Sequence, residues 1–548
     1  MSLPLLAVIV LGALSLGYAI YGRFLARQFG LNDATPTPAE TVNDGVDHVP
    51  TKPFYLLGQH FSAIAAAGPI AGPILACQQF GWVPCILWIV LGAIFIGAVH
   101  DFSALIASVR HKARSVCEIA REHMGRPAWI AMLAFIWIAL VYVILAFADV
   151  TAVTFINAVE VEGKAISGGA VAFASAAYLL LAVLMGLIQR KWNPPLWLMT
   201  AIFVPATLGV VWLGTQFPNL LTLPHWLWAV LIMAYCVVAS LVPVWSLLQP
   251  RGYLGGFILY IVLAAGLIGM FFGGYEIRQG ATGPTELYGL QKPLFPYLFV
   301  TIACGACSGF HGLVCSGTTS KQIAKESHCR PVGYGGMLLE GLVALIALAT
   351  IMIVAKAKGT PGQIYGSGIG EFLSVVLGRE QLLFATVFGT MAFSTFVFDT
   401  LDVATRLGRY VLQELTGLWS PAAALAATVV TAGVPLALLL IGGKGGYLNF
   451  WTLFGTSNQL LAALTLLAVG VWLKRTGRPA WFAFAPMAFV MAITLWALVA
   501  QAHDFLRRGN GFLDFANGGM AVALGVLAIF LIVQAAIALR RPAVPAPA

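Results

Sequence analysis

One apolar stretch reads His60-Phe-Ser-Ala-Ile-Ala-Ala-Ala-Gly68-Pro69-Ile-Ala-Gly72-Pro73, and it contains two Gly-Pro steps. Proline removes a backbone hydrogen bond from a helix and disfavours helical geometry in the residue before it. Hydrocarbon offers no partner for the freed backbone groups, so irregular backbone survives at membrane depth only where it lines a cavity or is packed in protein. The stretch therefore predicts a helix broken near its middle, with a simple packing kink as the alternative.

The composition places this stretch in a membrane protein. Of 548 residues, 60% are hydrophobic and 9% are charged, against about 25% charged in a typical soluble protein. Such a chain cannot cover itself with polar surface in water, so the predicted fold class is an all-α polytopic membrane protein. The net charge of +9 needs no nucleic acid to explain it, because cytoplasmic loops of membrane proteins are rich in Lys and Arg. The eight cysteines are interpreted as packing residues.

Apolar runs long enough to cross roughly 30 Å of hydrocarbon as helix occur about fifteen times. They lie near residues 3–21, 58–76, 84–107, 127–150, 166–188, 196–215, 226–247, 253–275, 294–318, 333–355, 381–403, 420–442, 448–473, 480–502 and 516–539. With the C-terminus inside, 21 of the 30 Lys and Arg residues fall in cytoplasmic loops and 9 in outer loops. This bias favours a cytoplasmic C-terminus and a periplasmic N-terminus.

A second candidate break lies in span seven, at Ser240-Leu-Val-Pro243-Val-Trp245. Spans two and seven are five apart and run in opposite directions, as in secondary transporters built from two inverted repeats around discontinuous helices. The substrate site is then expected beside residues 68–73 and 240–245. The predicted units are an N-terminal helix and polar loop (1–57), a ten-helix inverted-repeat transport core (58–403), and C-terminal helices with a short disordered tail (404–548).

Span nine is a third irregular region, and it runs from Cys304 to Lys321 with many Gly, Ser, Thr and Cys residues. Small residues let neighbouring helices approach closely. The hydroxyls of Ser316, Thr318 and Thr319 are expected either to cap the following helical turn or to hold a sodium ion as hard oxygen ligands.

At these motifs the sequence resembles the carbon starvation protein family, the CstA-type membrane transporters. The matching stretches are His60 to Pro73, Gly97 to Phe102 (GAVHDF), Pro243 to Tyr253 (PVWSLLQPRGY), Ile302 to Thr319 (IACGACSGFHGLVCSGTT), Gly333 to Glu340 (GYGGMLLE), Leu401 to Gln413 (LDVATRLGRYVLQ) and Phe454 to Ala462 (FGTSNQLLA). They follow one order over nearly the whole chain. Residues 356–380, between spans ten and eleven, form a shorter segment than in longer family members.

The resemblance implies a bacterial inner-membrane uptake system for times of carbon scarcity, associated with peptide import and, in some members, with proton-coupled pyruvate uptake. It also implies an inverted-repeat fold like that of amino-acid transporters. We therefore expect a secondary active transporter for a short peptide or small carboxylate, coupled to protons or sodium. The alternative is a starvation-responsive sensor or channel without coupled transport. No G-x-x-x-x-G-K-[ST] or H-E-x-x-H motif occurs in the sequence, so we expect neither an enzyme nor a bound cofactor.

Ionisable groups at membrane depth are candidates for ion coupling, because burying them is costly. The candidates for this role are His60, His100, Asp101, Ser316, Thr318, Thr319, Glu340 and Asp399. His100 and Asp101 form either a proton relay or a structural hydrogen bond, whereas Glu340 needs a partner from another helix or a proton. Asp402 is expected to pair with Arg406 on its own helix.

The substrate carboxylate is expected at the half-helix N-terminus that follows Gly68-Pro69 or Gly72-Pro73, where backbone N–H groups favour an anion. The spans carry no Arg or Lys at their predicted centres, which leaves backbone donors for this task. The candidate substrate-binding residues are Gly68, Pro69, Gly72, Pro73, Ser240, Ser308 and His311.

His311 either changes its charge during coupling or stays neutral and donates to a carbonyl. It shares a predicted helical stripe with Cys304, Cys307 and Cys315, and soft ligands at such spacing can bind zinc. We nevertheless expect no metal there.

Overall fold

The computed structural model describes residues 2–45, 47–161, 163–283, 292–355, 357–509 and 511–542. Within these ranges the chain is almost entirely helical, apart from a hairpin of β1 (Val159–Val161) and β2 (Lys164–Ile166). The tail predicted to be disordered lies outside the described residues beyond Pro542.

The helices of the first half are α1 (Leu3–Leu16), α2 (Gly22–Phe29), α3 (Pro38–Thr41), α4 (Pro53–Ile64), α5 (Gly68–Phe80), α6 (Trp82–Gly92), α7 (Ala98–Arg110), α8 (Val116–Met124), α9 (Arg126–Ile156), α10 (Gly169–Trp192), α11 (Leu196–Gln216), α12 (His225–Leu241) and α13 (Leu248–Phe272). The helices of the second half are α14 (Leu294–Thr301), α15 (Gly309–Gly317), α16 (Gly335–Met352), α17 (Pro361–Leu377), α18 (Leu382–Thr416), α19 (Pro421–Gly442), α20 (Tyr447–Arg475), α21 (Trp481–Arg508) and α22 (Phe512–Leu539). Short π-helical turns (Gly17–Tyr21, Ala93–Gly97, Arg330–Tyr334) and 3₁₀ turns (Thr319–Gln322, Glu326–His328, Arg379–Gln381) join some of them.

The structure confirms an all-α polytopic membrane protein. Among the described residues, 12 helical segments are long and apolar enough to cross a membrane, and the pair α4 and α5, bent by 48°, raises this number to 13. The two remaining predicted spans correspond to α12, which has 17 residues, and to the short helices α14 and α15. Fifteen is therefore an approximate count, since these two elements are shorter than a full span.

The break predicted in span two is present. Helix α4 ends at Ile64 and α5 begins at Gly68, so the break precedes both Gly-Pro steps. Pro69 lies in the first turn of α5, where its missing N–H costs no helical hydrogen bond. Pro73 lies inside α5. Of the two half-helix starts that the sequence allowed, the structure has the one at Gly68-Pro69.

The second break lies between α14 and α15, over residues 302–308, and it packs directly against the first. A Cβ atom at Gly68 would lie 2.5 Å from the Cys304 Sγ, and one at Gly72 would lie 2.7 Å from the Thr301 carbonyl oxygen. Only glycine leaves room for this approach. The two breaks therefore form one irregular region inside the helix bundle.

The two broken helices run in opposite directions. Thr51, just before α4, donates its N–H to the Gln322 carbonyl beyond the end of α15 (3.1 Å). Trp82, just after α5, donates its N–H to the Gly280 carbonyl, which precedes α14 (3.2 Å). The start of one helix thus lies beside the end of the other, as inverted repeats require.

The partner of span two is therefore the pair α14 and α15, and the prediction of a break inside span seven is wrong. Helix α12 ends at Leu241 and α13 begins at Leu248, so Pro243 lies in a connection between two helices. The hairpin of α10 and α11, inserted between α9 and α12, widens the spacing of the broken helices from five spans to seven.

The remaining helices pack as matching pairs around the breaks. Helices α9 and α18 pack against each other. Helix α12 packs on α18, and in the same way α19 packs on α9. Helix α13 contacts α17, and in the same way α20 contacts α8. Helices α21 and α22 pack onto α20, whose most apolar window is fully buried, whereas only half of the corresponding window in α13 is buried. The predicted unit boundaries, 57/58 and 403/404, fall inside α4 and α18.

Helices α8 and α17 mark the two ends of the bundle. The Arg121 guanidinium of α8 lies 4.9 Å from the Trp129 ring at the start of α9. Thr360, which caps α17, lies 3.2 Å from Thr154 at the end of α9. Helix α9 has 31 residues, so it separates these contacts by roughly 40 Å. We refer below to the α8 end and the α17 end.

The segment from Gly366 to Gly370, which falls between the predicted spans ten and eleven, belongs to α17. A Cβ at Gly366 would collide with Thr390, and one at Gly370 with Thr386. These glycines let α17 and α18 approach closely, which is a packing role rather than a loop signal.

The contact between the two breaks predicts the effect of Gly72→Val. The new side chain would have to displace the backbone at Thr301, and overpacking of this kind costs about 1–3 kcal/mol. We expect a lower unfolding temperature for the purified variant in detergent. Gly209→Val in α11, where a new Cβ meets nothing within 4 Å, is the matched control. Equal unfolding temperatures of the two variants would contradict this packing.

Candidate functional site

A buried histidine lies between two buried carboxylates beside the breaks. His311 of α15 places its Nδ1 2.8 Å from Asp101 Oδ2 of α7. Its Nε2 lies 3.1 Å from Glu340 Oε2 of α16. All three side chains are 1% exposed or less. The second contact is an ion pair that lacks the alignment of a good hydrogen bond, since Glu340 Oε2 has no hydrogen-bond partner among the described residues.

This arrangement must hold at least one proton more than a neutral imidazole between two ionised carboxylates would carry. A neutral imidazole carries hydrogen on one nitrogen only. If Nδ1 of His311 donates to Asp101, then Nε2 turns a lone pair towards an acidic oxygen of Glu340. Two acceptors facing each other in a dry interior are unfavourable, and so is a buried pair of ionised carboxylates beside a neutral ring. A proton shared between His311 and Glu340 relieves both conflicts. The three groups are suited to binding and releasing a proton.

The cluster is joined to the second break at one end and to a further histidine at the other. Glu340 Oε1 accepts a hydrogen bond from the Gly305 N–H (3.2 Å), and Gly305 has the left-handed backbone (φ +86°) that favours glycine. Asp101 Oδ1 lies 2.7 Å from His100 Nδ1. The His100 Nε2 atom finds no partner among the described residues. A Cβ at Gly312 would lie 3.1 Å from this ring nitrogen, so a glycine there allows α15 to pack on α7.

Ser308 lies where the second break passes into α15. The amide of Asn458, on α20, donates to the Ser308 Oγ (3.0 Å). Its oxygen accepts from the Phe310 N–H (2.9 Å), so an asparagine from another helix caps α15. The same amide lies 3.2 Å from the Cys304 Sγ. Cys304 packs against Gly68, so Ser308 is linked to the start of α5 through Cys304, whose Sγ lies 3.6 Å from the Ser308 Oγ.

His60 and Thr319 form a separate buried pair towards the α8 end, where the His60 Nδ1 lies 2.9 Å from the Thr319 Oγ1. The other two hydroxyls turn backwards along the chain: Thr318 donates to the Val314 carbonyl and Ser316 to the Gly312 carbonyl. None of the three caps the following turn as the sequence suggested. Back-bonding is the usual alternative for Ser and Thr at a helix end.

Ser240 and Asp399 lie away from the breaks, among a second set of charged residues. Ser240 lies 3.5 Å from Thr428, and its carbonyl accepts from the Arg409 guanidinium (2.7 Å). Asp399 pairs with Arg251 (2.5 Å). The structure thus does not bring these two candidates together with the other predicted site residues.

Arg251 is the residue that the sequence analysis missed. Its side chain is 1% exposed, and its Nη2 contacts Asp399 and also Asp402 (2.9 Å). Tyr235 donates a further hydrogen bond to Asp402 (2.8 Å). A signal was present, because Pro250 is typical of a helical first turn and so places Arg251 inside α13 rather than in a loop.

The predicted pair between Asp402 and Arg406 is wrong. Asp402 faces Arg251, whereas the Arg406 guanidinium donates to the carbonyls of Ala239 and Val242 at the end of α12. The carbonyls at the end of a helix have no partner within it, so they compete for the guanidinium.

The predicted cysteine stripe also does not form. Cys304 and Cys307 lie in the break, before α15 begins at Gly309, so they do not continue the helical face of His311 and Cys315. Both ring nitrogens of His311 contact carboxylates. Among the described residues, these four side chains do not converge as metal ligands.

The chain matches a known protein family over most of its length. The family model described as carbon starvation protein CstA matches residues 2–359 and 353–497. The chain belongs to this family. A peptide transporter CstA of Campylobacter jejuni is 34% identical over 90% of this chain and 79% of its own length. The pyruvate/proton symporter BtsT of Escherichia coli is 30% identical over 88% of this chain and 79% of its own length.

The fold has a counterpart among solved structures. A manganese transporter of Eremococcus coleocola, solved as a mutant, matches with a TM-score of 0.50 at 13% identity, over 89% of this chain and 95% of that one. At this identity the likeness concerns the fold alone. It agrees with the inverted-repeat transporter core that the CstA family resemblance implied.

The Arg251 cluster predicts a large effect of Arg251→Gln. Removing the cation leaves the buried Asp402 and the partly buried Asp399 without their counter-charge, and breaking a buried ion pair costs about 3–5 kcal/mol. We expect a clearly lower unfolding temperature and less protein in the membrane. Arg379→Gln is the matched control, because Arg379 pairs with Glu371 at an exposed site, and such a pair contributes about 0–1 kcal/mol.

A triple variant separates charge from packing. In Arg251→Met with Asp399→Asn and Asp402→Asn no unpaired charge remains, and we expect most of the lost stability to return. If the triple variant is as unstable as Arg251→Gln, the charges are not what holds α13 to α18.

Proposed function

We propose that this member of the CstA family is a proton-coupled importer of small carboxylates or short peptides. The observation that carries the proposal is the position of His311 between the buried carboxylates of Asp101 and Glu340, which calls for an additional proton. This proton site is attached to the second break by the hydrogen bond from Gly305 to Glu340. The relatives named peptide transporter and pyruvate/proton symporter support the choice of substrate and ion.

The coupling step follows from the bond between Gly305 and Glu340. An ionised carboxylate accepts a stronger hydrogen bond from a backbone N–H than a protonated one. When Glu340 takes up the proton, its hold on Gly305 weakens and the backbone at 302–308 is free to adopt another arrangement. A transporter needs such a difference between its protonation states, because an ion can shift a conformational equilibrium only through unequal affinity for the two states.

The substrate carboxylate is placed at the start of α5. The first N–H groups of a helix have no partner within it, and the helix dipole favours an anion there. Pro69 has no N–H, and the Ile70 N–H donates to the Ala67 carbonyl (3.2 Å). The Gly68 N–H and the helix dipole are therefore what this start offers to an anion, with Ser308 and Asn458 in the other break. Pyruvate and a short peptide share a free carboxylate, so one site of this kind serves both. Gly72, Pro73 and His311 adjoin this site, whereas Ser240 is not part of it.

The membrane orientation is also a proposal. The charge bias of the loops supports a C-terminus in the cytoplasm and an N-terminus in the periplasm, and the resemblance to the CstA family supports a location in the bacterial inner membrane. In this orientation the α8 end faces the cytoplasm and the α17 end faces the periplasm.

A transporter and a sensor or channel differ in one measurable property. Proteoliposomes that contain the purified protein are loaded with buffer, and uptake of labelled pyruvate and of a labelled dipeptide is followed under an imposed proton or sodium gradient. We expect accumulation above the outside concentration under the proton gradient alone. Equilibration without accumulation would identify a channel, and binding without uptake a sensor; either result excludes the proposal.

Glu340→Gln tests the proton site directly. The amide oxygen still accepts from Gly305, but the side chain no longer takes up a proton. We expect the variant to lose gradient-driven accumulation while it still exchanges internal for external substrate. Glu380→Gln, at an exposed turn near the α17 end, is the matched control and should accumulate substrate normally. Normal accumulation by Glu340→Gln would exclude Glu340 as the coupling group.

The carboxylate hypothesis is tested with substrate analogues. Methyl pyruvate and a C-terminally amidated dipeptide lack the anion that the start of α5 is proposed to bind. We expect each to compete at least about tenfold less well than its parent in the uptake assay, since one lost charged hydrogen bond costs about 1.5–3 kcal/mol. Competition as strong as that of the parent compounds would show that the carboxylate is not recognised.

A further inference from the structure

A group of potential metal ligands lies at the α8 end, apart from the breaks and from the His311 cluster. The ligand atoms of His111, Glu122 and His123 all lie within 4.8 Å of one another. His111 follows the last residue of α7, and the other two belong to the last turn of α8. His123 is buried, His111 is partly buried and Glu122 is exposed.

The hydrogen bonds of His111 fix which of its nitrogens is available. Its Nδ1 lies 2.7 Å from the Ala107 carbonyl oxygen, and a carbonyl only accepts, so the Nδ1 carries the proton. The Nε2 therefore presents a lone pair. In metal sites, the nitrogen opposite to the ligating one makes this kind of bond to a carbonyl or carboxylate. The Trp472 ring, 5.1 Å away, packs edge-on against the imidazole.

That lone pair points at a second imidazole. The Nε2 atoms of His111 and His123 are 2.9 Å apart, and the Glu122 carboxylate lies beside them. Two imidazole nitrogens at 2.0–2.1 Å from a tetrahedral zinc ion are about 3.3 Å apart, so the rings need to separate by only about 0.4 Å. A plain hydrogen bond between the two rings explains their distance, and the carboxylate beside them completes a set of three ligand atoms within 4.8 Å of one another.

The charges near Glu122 leave its carboxylate able to bind a metal ion together with the two histidines. Glu122 pairs with Arg114 at 3.6 Å, and both side chains are about half exposed. A surface pair of this kind contributes little, so Glu122 is free to turn. Arg475 donates to the backbone carbonyl of His123 and not to its ring. This hydrogen bond holds the end of α20 against α8 and does not occupy a ring nitrogen of His123.

We propose that His111, Glu122 and His123 form a binding site for a divalent transition-metal ion of the zinc type. Two imidazoles and one carboxylate are the ligand set of a three-residue zinc site with a water molecule in the fourth position. Imidazole suits zinc, cobalt, nickel and copper, whereas magnesium and calcium prefer oxygen ligands. The bound ion would fasten α8 to the end of α7.

The position of the site gives the ion a means to act on the bundle. The Ser108 hydroxyl, one turn before His111, contacts the Ser320 hydroxyl at 2.9 Å. The Val116 N–H, at the start of α8, donates to the Ser316 hydroxyl of α15. An ion that fixes the connection from α7 to α8 therefore also restrains the end of the second broken helix.

The test is metal binding by the full-length protein in detergent, without an affinity tag and after dialysis against a chelator. Zinc is measured by equilibrium dialysis, and cobalt by its visible absorption, which is intense when the ion is tetrahedral. We expect one zinc ion per chain, displacement of cobalt by zinc and no displacement by magnesium. His111→Gln and His123→Gln should each weaken zinc binding by at least about tenfold, as even changes around metal ligands do.

Two further variants keep the result interpretable. His503→Gln removes an exposed histidine and should bind zinc as the unchanged protein does. Glu122→Gln removes the exposed ligand, so the fold is not at risk, and it should weaken zinc binding while the unfolding temperature without metal stays the same. Zinc binding that survives in His123→Gln, or its absence from the unchanged protein, overturns the proposal and leaves a hydrogen bond between two histidines.

Discussion

The architecture depends on the close packing of two broken helices. Gly68 and Gly72 bring α5 against residues 301–304 at distances that no side chain would permit. Each break leaves backbone groups without helical partners, and a membrane gives them nothing to bond with. By facing each other inside the bundle, the two breaks share one polar region that lipid does not reach, and the remaining helices surround it.

The charged residues inside the bundle form two clusters, which differ in whether the basic group can lose its proton. Asp101, His311 and Glu340 combine two acids with one base that can gain or lose a proton, and the cluster contacts the second break through Gly305. Arg251, Asp399 and Asp402 combine two acids with a guanidinium that keeps its charge in proteins. The first arrangement suits exchange of protons, whereas the second ties α13 to α18 through a permanent cation.

The sequence carried the features that depend on local chemistry. The break before Gly68-Pro69 follows from proline and glycine in an apolar run, and the isolation of Glu340 already required either a partner from another helix or a proton. What could not be read locally was the identity of partners far apart in the chain. The inserted hairpin α10–α11 hides the pairing of span two with α14 and α15, because it changes the spacing of the broken helices. A proline such as Pro243 indicates an interrupted helix in either case, whether the chain breaks within a span or ends a helix there. Arg251 falls between the predicted spans 226–247 and 253–275, and the positive-inside pattern does not distinguish a solvated arginine in a loop from one that enters a helix.

The two halves of the core meet their surroundings differently. Helix α20 packs against α21 and α22 and its most apolar window is fully buried, while only half of the corresponding window of its counterpart α13 is buried. Lipid therefore reaches α13 directly, whereas α21 and α22 separate it from α20. Two helices at equivalent positions in the two repeats meet different surroundings, so a change in bilayer thickness or lipid packing acts on them unequally.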